Sequence, residues 1–184
     1  QSRKILLAGK ALGLTSKIHA DEMSSLGGAE LAAECGCVSA DHLLKATEEG
    51  IFTMIEKGVT GVLLPATAFC LKEEYANGRR MIDAGCAIAI ASDWNPGSCF
   101  TNSIPLLCAL GCIYMNMSIE EVITALTING AAAVKRADCI GSIEVGKKAD
   151  IIFLKYPSIK FIPYCAAINL VEMVIKNGEI VLWQ

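Results

Sequence analysis

The chain has 184 residues, of which 53% are hydrophobic and 19% are charged. This composition excludes a disordered chain, which needs low hydrophobicity and a high net charge. The net charge of −3, from 16 basic and 19 acidic residues, argues against a nucleic-acid-binding surface. Soluble domains carry about 25% charged residues, so the apolar excess indicates strands buried on both faces or a surface that something outside the chain covers.

The sequence offers no candidate for a membrane-spanning helix, which needs about 20 consecutive apolar residues. The longest apolar stretch covers residues 104–117 and is interrupted by Pro105 and Asn116. The first apolar run is too short for a secretory signal. We therefore expect a cytoplasmic protein without membrane contacts. The start at Gln1 rather than Met leads us to expect part of a longer product.

Nine cysteines are present, and their odd number disfavours a disulfide framework. Most lie among apolar residues, as Cys86 does, which predicts reduced, small core residues of a cytosolic protein. An alternative is thiolate binding of a metal by Cys35 and Cys37, or by Cys108 and Cys112. A structural zinc site needs four ligands at defined spacing, and neither pair has a matching partner, so we favour the first interpretation.

Apolar runs alternate with helical periodicity in the first part of the chain. Strands are predicted at 16–20, 38–44, 59–65 and 86–91. Helices are predicted at 3–14, 27–34, 46–56, 73–84 and 104–115. Continuous apolar strands belong to parallel sheets covered by helices, and their alternation with helices is typical of α/β folds. The sequence therefore predicts an α/β fold with four strand–helix units up to about residue 116.

The last part of the chain has a different pattern. Ser118 and Glu121 form a capping-box motif that opens a helix through residue 128. We expect Asn129 and Gly130 to interrupt this helix, which resumes over 131–135. A turn and a strand follow over 141–154, and a hairpin over 171–181 has Asn-Gly as its two-residue turn. Residues from about 140 onward are therefore predicted to be antiparallel and separate from the α/β part.

Polar side chains gather at the ends of the predicted strands, where α/β folds bind their ligands. They are His19, Asp21, Glu22, Asp41, His42, Thr67, Asp93, Asn95 and Ser98. Histidine and aspartate together favour a divalent metal such as zinc or iron. Two alternatives remain open, because a single histidine is often only a hydrogen-bonding residue and an aspartate before Asn-Pro-Gly is often a turn former. Two ligands are also fewer than the three that catalytic zinc sites usually have.

Seven stretches between residues 17 and 181 match a known pattern: KIHADE (17–22), LGGAELAAE (26–34), VSADHLL (38–44), LLPATAFCLKE (63–73), ASDWNPGSCF (91–100), TINGAAAVKRADCIGSIEVGKKADIIFL (127–154) and NLVEMVIKNGEIV (169–181). They resemble the imidazolonepropionase family of the amidohydrolase superfamily, and the resemblance extends over nearly all of the chain. The stretch from Thr127 is common to many amidohydrolases. The ADE that follows His19, together with DWNPGS and LLPATAF, is specific to the narrower family.

The resemblance implies a metal-dependent hydrolase with a (βα)8 TIM barrel and a composite β-sandwich. Residues 1–138 would supply the last four strand–helix units, and residues 139–184 the C-terminal strands of the sandwich. The implied reaction is hydrolysis of the cyclic amide C–N bond of 4-imidazolone-5-propanoate to N-formimidoyl-L-glutamate in histidine degradation. The implied cofactor is one divalent or trivalent ion, zinc or iron, which lowers the pKa of water and polarises the carbonyl.

The resemblance also implies a role for individual residues. His19 and Asp93 match metal ligands, and Asp93 is in addition placed to take a proton from the attacking water. Glu22 matches a residue beside the water and the substrate, with general acid/base action. His42 matches a histidine that steadies the carbonyl oxygen or the hydroxide. The loop residues that match substrate-binding positions are Asn95, Gly97 and Ser98.

The chain departs from the family pattern in what it lacks. It contains no His-x-His metal pair, which the family carries on its first barrel strand, and no N-terminal substrate-binding residues. We therefore expect the missing N-terminal half of the same protein as a partner, a homodimer as the assembly, and weak metal binding without turnover for this chain alone. Two alternatives remain: another amidohydrolase, such as a deaminase or cyclic amidase, or a non-catalytic half-barrel that self-associates through open strand edges.

Overall fold

The computed structural model describes residues 1–166 and 168–183. The strands are β1 Lys17–Ala20, β2 Ser39–His42, β3 Thr60–Leu63, β4 Ile88–Ile90, β5 Ile151–Leu154, β6 Val171–Lys176 and β7 Glu179–Trp183. The helices are α1 Ser2–Ala11, α2 Gly28–Cys35, α3 Glu48–Lys57, α4 Pro65–Leu71, α5 Gly78–Asp83, α6 Ile104–Tyr114, α7 Ile119–Leu126, α8 Ile128–Ala132 and α9 Phe161–Tyr164. Strands β1 to β4 fall inside the four segments whose apolar runs predict strands.

Strands β1 to β4 form one parallel sheet in which each strand pairs with the next along the chain. The register places His19 opposite Asp41 and Ala20 opposite His42. Because the strands run in parallel and in sequence order, all four carboxyl ends lie at one edge of the sheet. This connectivity is that of consecutive units in a (βα)8 barrel, and it confirms the predicted α/β class.

The two faces of the sheet differ in what covers them. On one face, Leu63 and Ile88 pack in a large core with helix residues that include Met54 and Leu107. On the other face, Val62 and Ala89 form a second, smaller apolar cluster with Leu64, Ala91 and Ala133. Strands buried on both faces need apolar residues at every position, which accounts for part of the apolar excess. Large exposed hydrophobic side chains, among them Leu12, Leu26 and Phe100, account for another part.

The helix ends follow ordinary capping chemistry. The side chain of Thr47 accepts a hydrogen bond from the Gly50 N–H at the start of α3, and Gly58 ends that helix with a φ of 67°. The predicted capping box of α7 is confirmed, since Ser118 and Glu121 each accept from the other's backbone N–H. Across residues 1–166 and 168–183, no helix has the length and apolar character needed to cross a membrane.

The prediction of one helix over 73–84 is wrong. The segment instead contains the short helix α5, and a further helix, α4, starts directly after β3. Pro65 opens α4 at its first turn, where proline is favoured because its missing N–H has no intrahelical partner. Lys72 then ends α4 in the left-handed region with a φ of 58°, and Asn77 caps α5 by accepting from the Arg80 N–H. Residues 73–77 therefore lie outside the helices, and the helix in this segment begins only at Gly78.

The predicted break at Asn129 and Gly130 is also misplaced. Both residues lie inside α8, and the backbone changes direction at Thr127, whose φ and ψ are −114° and −94°. The side chain of Asn129 donates to the carbonyl oxygen of Ile88 at 2.8 Å, so this asparagine ties α8 to β4. Helix α8 ends at Ala132, which is earlier than the predicted end at residue 135.

Strands β5, β6 and β7 form a separate antiparallel sheet, as predicted for the last part of the chain. Asn177 and Gly178 join β6 to β7 with φ values of 51° and 87°. Two successive positive φ angles are typical of the turn that matches the twist of hairpin strands, which confirms the Asn-Gly prediction.

All nine cysteines are free, and five of them are buried. This agrees with the interpretation of reduced core residues. In the part of the chain that the structure describes, the group of side chains suited to hold a metal contains two histidines and a glutamate, with no cysteine. The alternative of a thiolate site at Cys35 and Cys37, or at Cys108 and Cys112, therefore has no support in the structure.

Candidate metal centre

His19 and His42 meet at the carboxyl ends of β1 and β2. His19 is the third residue of β1, and His42 is the last residue of β2. Because the two strands are neighbours in the parallel sheet, the imidazole rings lie edge to face, with centroids 4.8 Å apart. Parallel pairing thus unites two side chains that are 23 positions apart in the sequence.

Glu22 completes a three-residue cluster. It lies in the turn that follows β1, and its Oε1 atom is 3.4 Å from Nδ1 of His42. One donor atom from each of His19, Glu22 and His42 lies within 4.8 Å of the others. Two imidazoles and one carboxylate form a nitrogen and oxygen donor set that suits zinc or iron. The chemistry of these residues therefore fits the metal that the sequence motifs imply.

His42 is the buried member of the cluster, with 3% of its surface exposed. Burial lowers the pKa of His42, while the nearby charge of Glu22 acts in the opposite direction and raises it. The first effect is larger, so the imidazole is held neutral at neutral pH. A neutral imidazole is the form that accepts a hydrogen bond or coordinates a metal.

Three residues around the site have left-handed backbone conformations that side chains rarely adopt. The φ angles are 49° at Asp21, 78° at His42 and 52° at Asp93. Such conformations cost free energy and persist where the surrounding structure imposes them, often at functional sites. At His42, the imposing contacts continue the β1–β2 pairing, since the N–H groups of Leu43 and Lys45 donate to the carbonyl oxygens of Ala20 and Asp21.

Asp93 follows β4 and stands outside the three-residue cluster as the structure defines it. Its charge nevertheless contributes to the pKa of His42, so it lies at the same edge of the sheet. Its Oδ2 atom accepts a hydrogen bond of 2.8 Å from Oγ1 of Thr67. The pairing of His19 with Asp93 as metal ligands stays a prediction, and the structure adds Glu22 and His42 as donors beside His19.

The loop after Asp93 is organised by Asn95. The Nδ2 atom of Asn95 donates to the carbonyl oxygen of Asp93 at 2.7 Å and to Oγ of Ser98 at 2.9 Å. Its Oδ1 atom accepts from the backbone N–H groups of Gly97 and Ser98. The structure thus brings together Asn95, Gly97 and Ser98, the predicted substrate-binding residues of this loop, and the Asn95 amide holds the loop in shape.

Two other carboxylates at the strand ends have structural partners. Asp21 accepts three backbone hydrogen bonds of 2.9–3.0 Å, from Leu26, Gly28 and Ala29, and so fixes the start of α2. Asp41 accepts from the Ser39 hydroxyl. Sequence position alone does not separate these residues from Glu22, because all of them lie within the same few positions around a strand end.

Thr67 is one of the polar residues that the sequence places at strand ends, but sequence reasoning assigns it no role. It lies in the first turn of α4, it is buried, and it lines a small cavity with Glu22 and His42. The only signal in the sequence is its position shortly after β3, which it shares with the other polar residues at the strand ends. Its contact with Asp93 spans 26 positions and depends on the β3–β4 pairing.

Comparison with known proteins agrees with this architecture. The model of the amidohydrolase family matches residues 8–181. A protein from Clostridium tetani named imidazolonepropionase is 62% identical over 181 residues, which are 98% of this chain and 43% of the relative. The relative of that name from Bacteroides thetaiotaomicron is 61% identical over 97% of this chain and 43% of its own length. The chain therefore spans less than half the length of these curated relatives.

Solved structures show the same fold at lower identity. An adenosine deaminase from Xanthomonas campestris, with bound zinc, matches 99% of this chain and 48% of its own with a TM-score of 0.83 and 22% identity. A 5-methylcytosine deaminase from Klebsiella pneumoniae matches 100% of this chain and 52% of its own with a TM-score of 0.81 and 16% identity. On the family match over residues 8–181, the chain belongs to the amidohydrolase family.

Proposed function

We propose that this chain forms the C-terminal part of an enzyme that hydrolyses 4-imidazolone-5-propanoate to N-formimidoyl-L-glutamate. The observation that carries the proposal is the identity of 56–62% to proteins named imidazolonepropionase over 97–98% of the chain. That span includes the turn with His19 and Glu22 and the loop with Asp93 and Ser98. We also propose residues 1–138 as barrel and 139–184 as sandwich strands.

His19 and Asp93 are the proposed metal ligands, with Glu22 and His42 next to them. A bound zinc or iron ion would polarise the substrate carbonyl and lower the pKa of water. His19 is exposed and Glu22 is partly exposed, so the cluster is open on one side. We propose that the rest of the protein covers this side and adds a His-x-His pair there.

The remaining chemistry falls to side chains of this chain. A neutral His42 that directs its Nδ1 hydrogen toward Glu22 leaves Nε2 to accept a hydrogen bond from the attacking water. The Oδ1 atom of Asp93 is not the one that Thr67 binds, and it takes the proton of that water. Glu22 starts as a carboxylate, takes up the remaining proton of the added water, and delivers it to the ring nitrogen as the C–N bond breaks. Water thus adds across the cyclic amide bond, and no other reactant is needed.

The loop of Asn95, Gly97 and Ser98 is the proposed contact for the polar groups of the substrate. Asn95 keeps this loop rigid through the hydrogen bonds of its side chain to Asp93, Gly97 and Ser98. A rigid loop holds its N–H and hydroxyl groups in place before the substrate arrives, which lowers the entropic cost of binding. The proposed assembly is a homodimer, in a protein that resides in the cytoplasm.

The test is hydrolysis of 4-imidazolone-5-propanoate by the full-length protein that carries this chain, followed by loss of the imidazolone chromophore. Asp93→Asn is expected to reduce kcat by about 10²–10⁴-fold, as general-base removal does. Asp83→Asn, on the exposed side of α5, is the matched control and should retain activity. Activity on an aminopyrimidine or adenosine, with none on the imidazolone, would instead identify a deaminase.

A further inference from the structure

The contact between Thr67 and Asp93 is unusual among the helical threonines of this chain. The hydroxyls of Thr53 in α3, Thr124 in α7 and Thr127 at the C-cap of α7 each donate to the backbone carbonyl four residues earlier. That bond is the ordinary one for a threonine in a helix. Thr67 lies in the first turn of α4, where the carbonyl four residues earlier belongs to β3, and its hydroxyl donates to the Asp93 carboxylate after β4 at 2.8 Å. The Thr67 hydroxyl therefore has the Asp93 carboxylate as its hydrogen-bond acceptor.

The burial of Thr67 protects its hydrogen bond to Asp93 from competition with water. The residue is 3% exposed, so its hydroxyl has little access to water as an alternative partner. An unpaired buried hydroxyl costs free energy, and a hydrogen bond to a charged group is stronger than one between neutral groups. The α4 backbone that carries Thr67 begins directly at the end of β3, with Pro65 as its first residue. The donor is thus fixed in position by a rigid element.

Asp93 needs such a partner because its own backbone does not fix the carboxylate. The residue lies in a loop and has a left-handed φ of 52°. Asn95 holds its carbonyl oxygen at 2.7 Å, which restrains the main chain and leaves the side-chain torsions free. Thr67 restrains Oδ2 and leaves Oδ1 directed elsewhere. Partners of this kind orient ligand side chains in metal sites and are needed for full affinity and activity.

We infer that Thr67 is a positioning residue that orients the carboxylate of Asp93 toward the metal and the attacking water, an inference that rests on the proposed function. Thr67 touches neither the substrate nor the metal and acts through Asp93 alone. Its position beside Glu22 and His42 around one small cavity places this restraint at the site itself.

The experiment compares Thr67→Val, which preserves the shape and removes the hydroxyl, with Thr67→Ser, which preserves the hydroxyl. Both are made in the full-length protein, and Thr53→Val at a partly exposed position of α3 serves as the matched control. Thr67→Val is expected to lower kcat and zinc affinity by about 10- to 100-fold, with little change in KM or in the thermal midpoint. Thr67→Ser and Thr53→Val are expected to resemble the parent protein.

Zinc affinity, measured by competition with a chelator, separates this inference from the proposed function. If the parent protein does not hydrolyse 4-imidazolone-5-propanoate, the proposed function fails, and the zinc affinities of the two Thr67 variants still decide the role of Thr67. Equal zinc affinity and kcat in Thr67→Val and the parent would overturn the inference. Equal losses in Thr67→Val and Thr67→Ser would overturn it too, because the hydroxyl would then not be the group that acts.

Discussion

The Nδ1 atom of buried His42 lies 3.4 Å from the Oε1 atom of Glu22, within the three-residue cluster that also contains His19. Two opposing effects therefore act on one imidazole. Burial lowers the pKa of His42, and the Glu22 charge raises it. Burial is the larger effect, so the pKa of His42 is lowered and the imidazole is neutral near neutral pH. A variant without the Glu22 charge would show the effect of burial on the pKa of His42 without the opposing effect of Glu22.

Glu22→Gln is expected to lower the pKa of His42 further, because the glutamine keeps the size of the side chain and removes its charge. The pKa is measured by NMR from the pH dependence of the imidazole signals. The chain has only two histidines, so His19→Asn in both proteins leaves a single imidazole signal, that of His42. An unchanged or raised pKa in the Glu22→Gln background would contradict the proposed interaction.

Glu22→Gln is also expected to change how the stability of the folded chain depends on pH, and the direction follows from the pKa of His42 in the folded and unfolded states. The unfolded chain binds a proton on His42 near the ordinary pKa of about 6.5, and the folded chain binds it only at lower pH. Stability therefore falls as the pH drops below about 6.5 toward the folded-state pKa. Urea unfolding between neutral pH and pH 5 should show a steeper loss for Glu22→Gln than for the parent chain.

Much of the fold was predictable because local signals determine it. Continuous apolar runs identify β3 and β4, the Asn-Gly pair identifies the β6–β7 turn, and the Ser118 motif identifies the start of α7. The prediction of a helix over 73–84 is wrong at its start, because apolar periodicity does not register the cap at Asn77, after which α5 begins. Apolar periodicity therefore predicts the existence of a helix more reliably than it predicts the residues at which the helix begins and ends.

The site was predictable only in part, because register and loop conformation create it. The motifs identify His19, Glu22, His42 and Asp93 as residues at strand ends. They do not reveal that His19 and His42 lie ring against ring, which follows from the β1–β2 register. Nor do they reveal that Asp21, two residues after His19, caps a helix.

Asp21→Ala is expected to destabilise the chain by about 2–3 kcal/mol, because three backbone N–H groups lose a charged acceptor. Asp138→Ala, at an exposed position, is the control and should stay within about 0.5 kcal/mol of the parent. Both are measured by urea unfolding. A metal affinity reduced by Asp21→Ala without loss of stability would indicate a ligand role, in place of the structural role argued above.

Gly50→Ala is expected to destabilise the packing of α2 against α3 by about 1–3 kcal/mol. An added Cβ would lie 2.9 Å from the Ala29 Cβ and 2.9 Å from the Glu30 carboxylate carbon, which is too close. Gly130→Ala in α8 is the matched control, since its Cβ would meet only the Ala125 carbonyl oxygen at 3.4 Å. Thermal unfolding should show a lower midpoint for the first variant and an unchanged or higher midpoint for the second.

Glu121→Gln is expected to cost about 1 kcal/mol at neutral pH, since it weakens the capping box of α7 and removes the charge beside Arg79. The Ser118 backbone N–H and the Arg79 guanidinium hold the pKa of Glu121 below its ordinary value of about 4.3. The stability that this charge contributes is therefore present above about pH 4.3 and is lost as the pH falls through the folded-state pKa. The difference between parent and variant should shrink over that acidic range, and a difference that is constant with pH would contradict the assignment.

Residues 1–184 alone are expected to hold zinc weakly and below one ion per chain. His19 is exposed and Glu22 is one-third exposed, so water competes for both donors, and the cluster has no ligand on its open side among the described residues. Metal content is measured after dialysis, with His19→Ala as the control for zinc held elsewhere, for instance by the exposed thiol of Cys70. The full-length protein should retain about one ion under the same dialysis, because ligands from the rest of the barrel would close the site. One tightly held ion on residues 1–184, lost in His19→Ala, would mean that this chain completes the metal site without any other part of the protein.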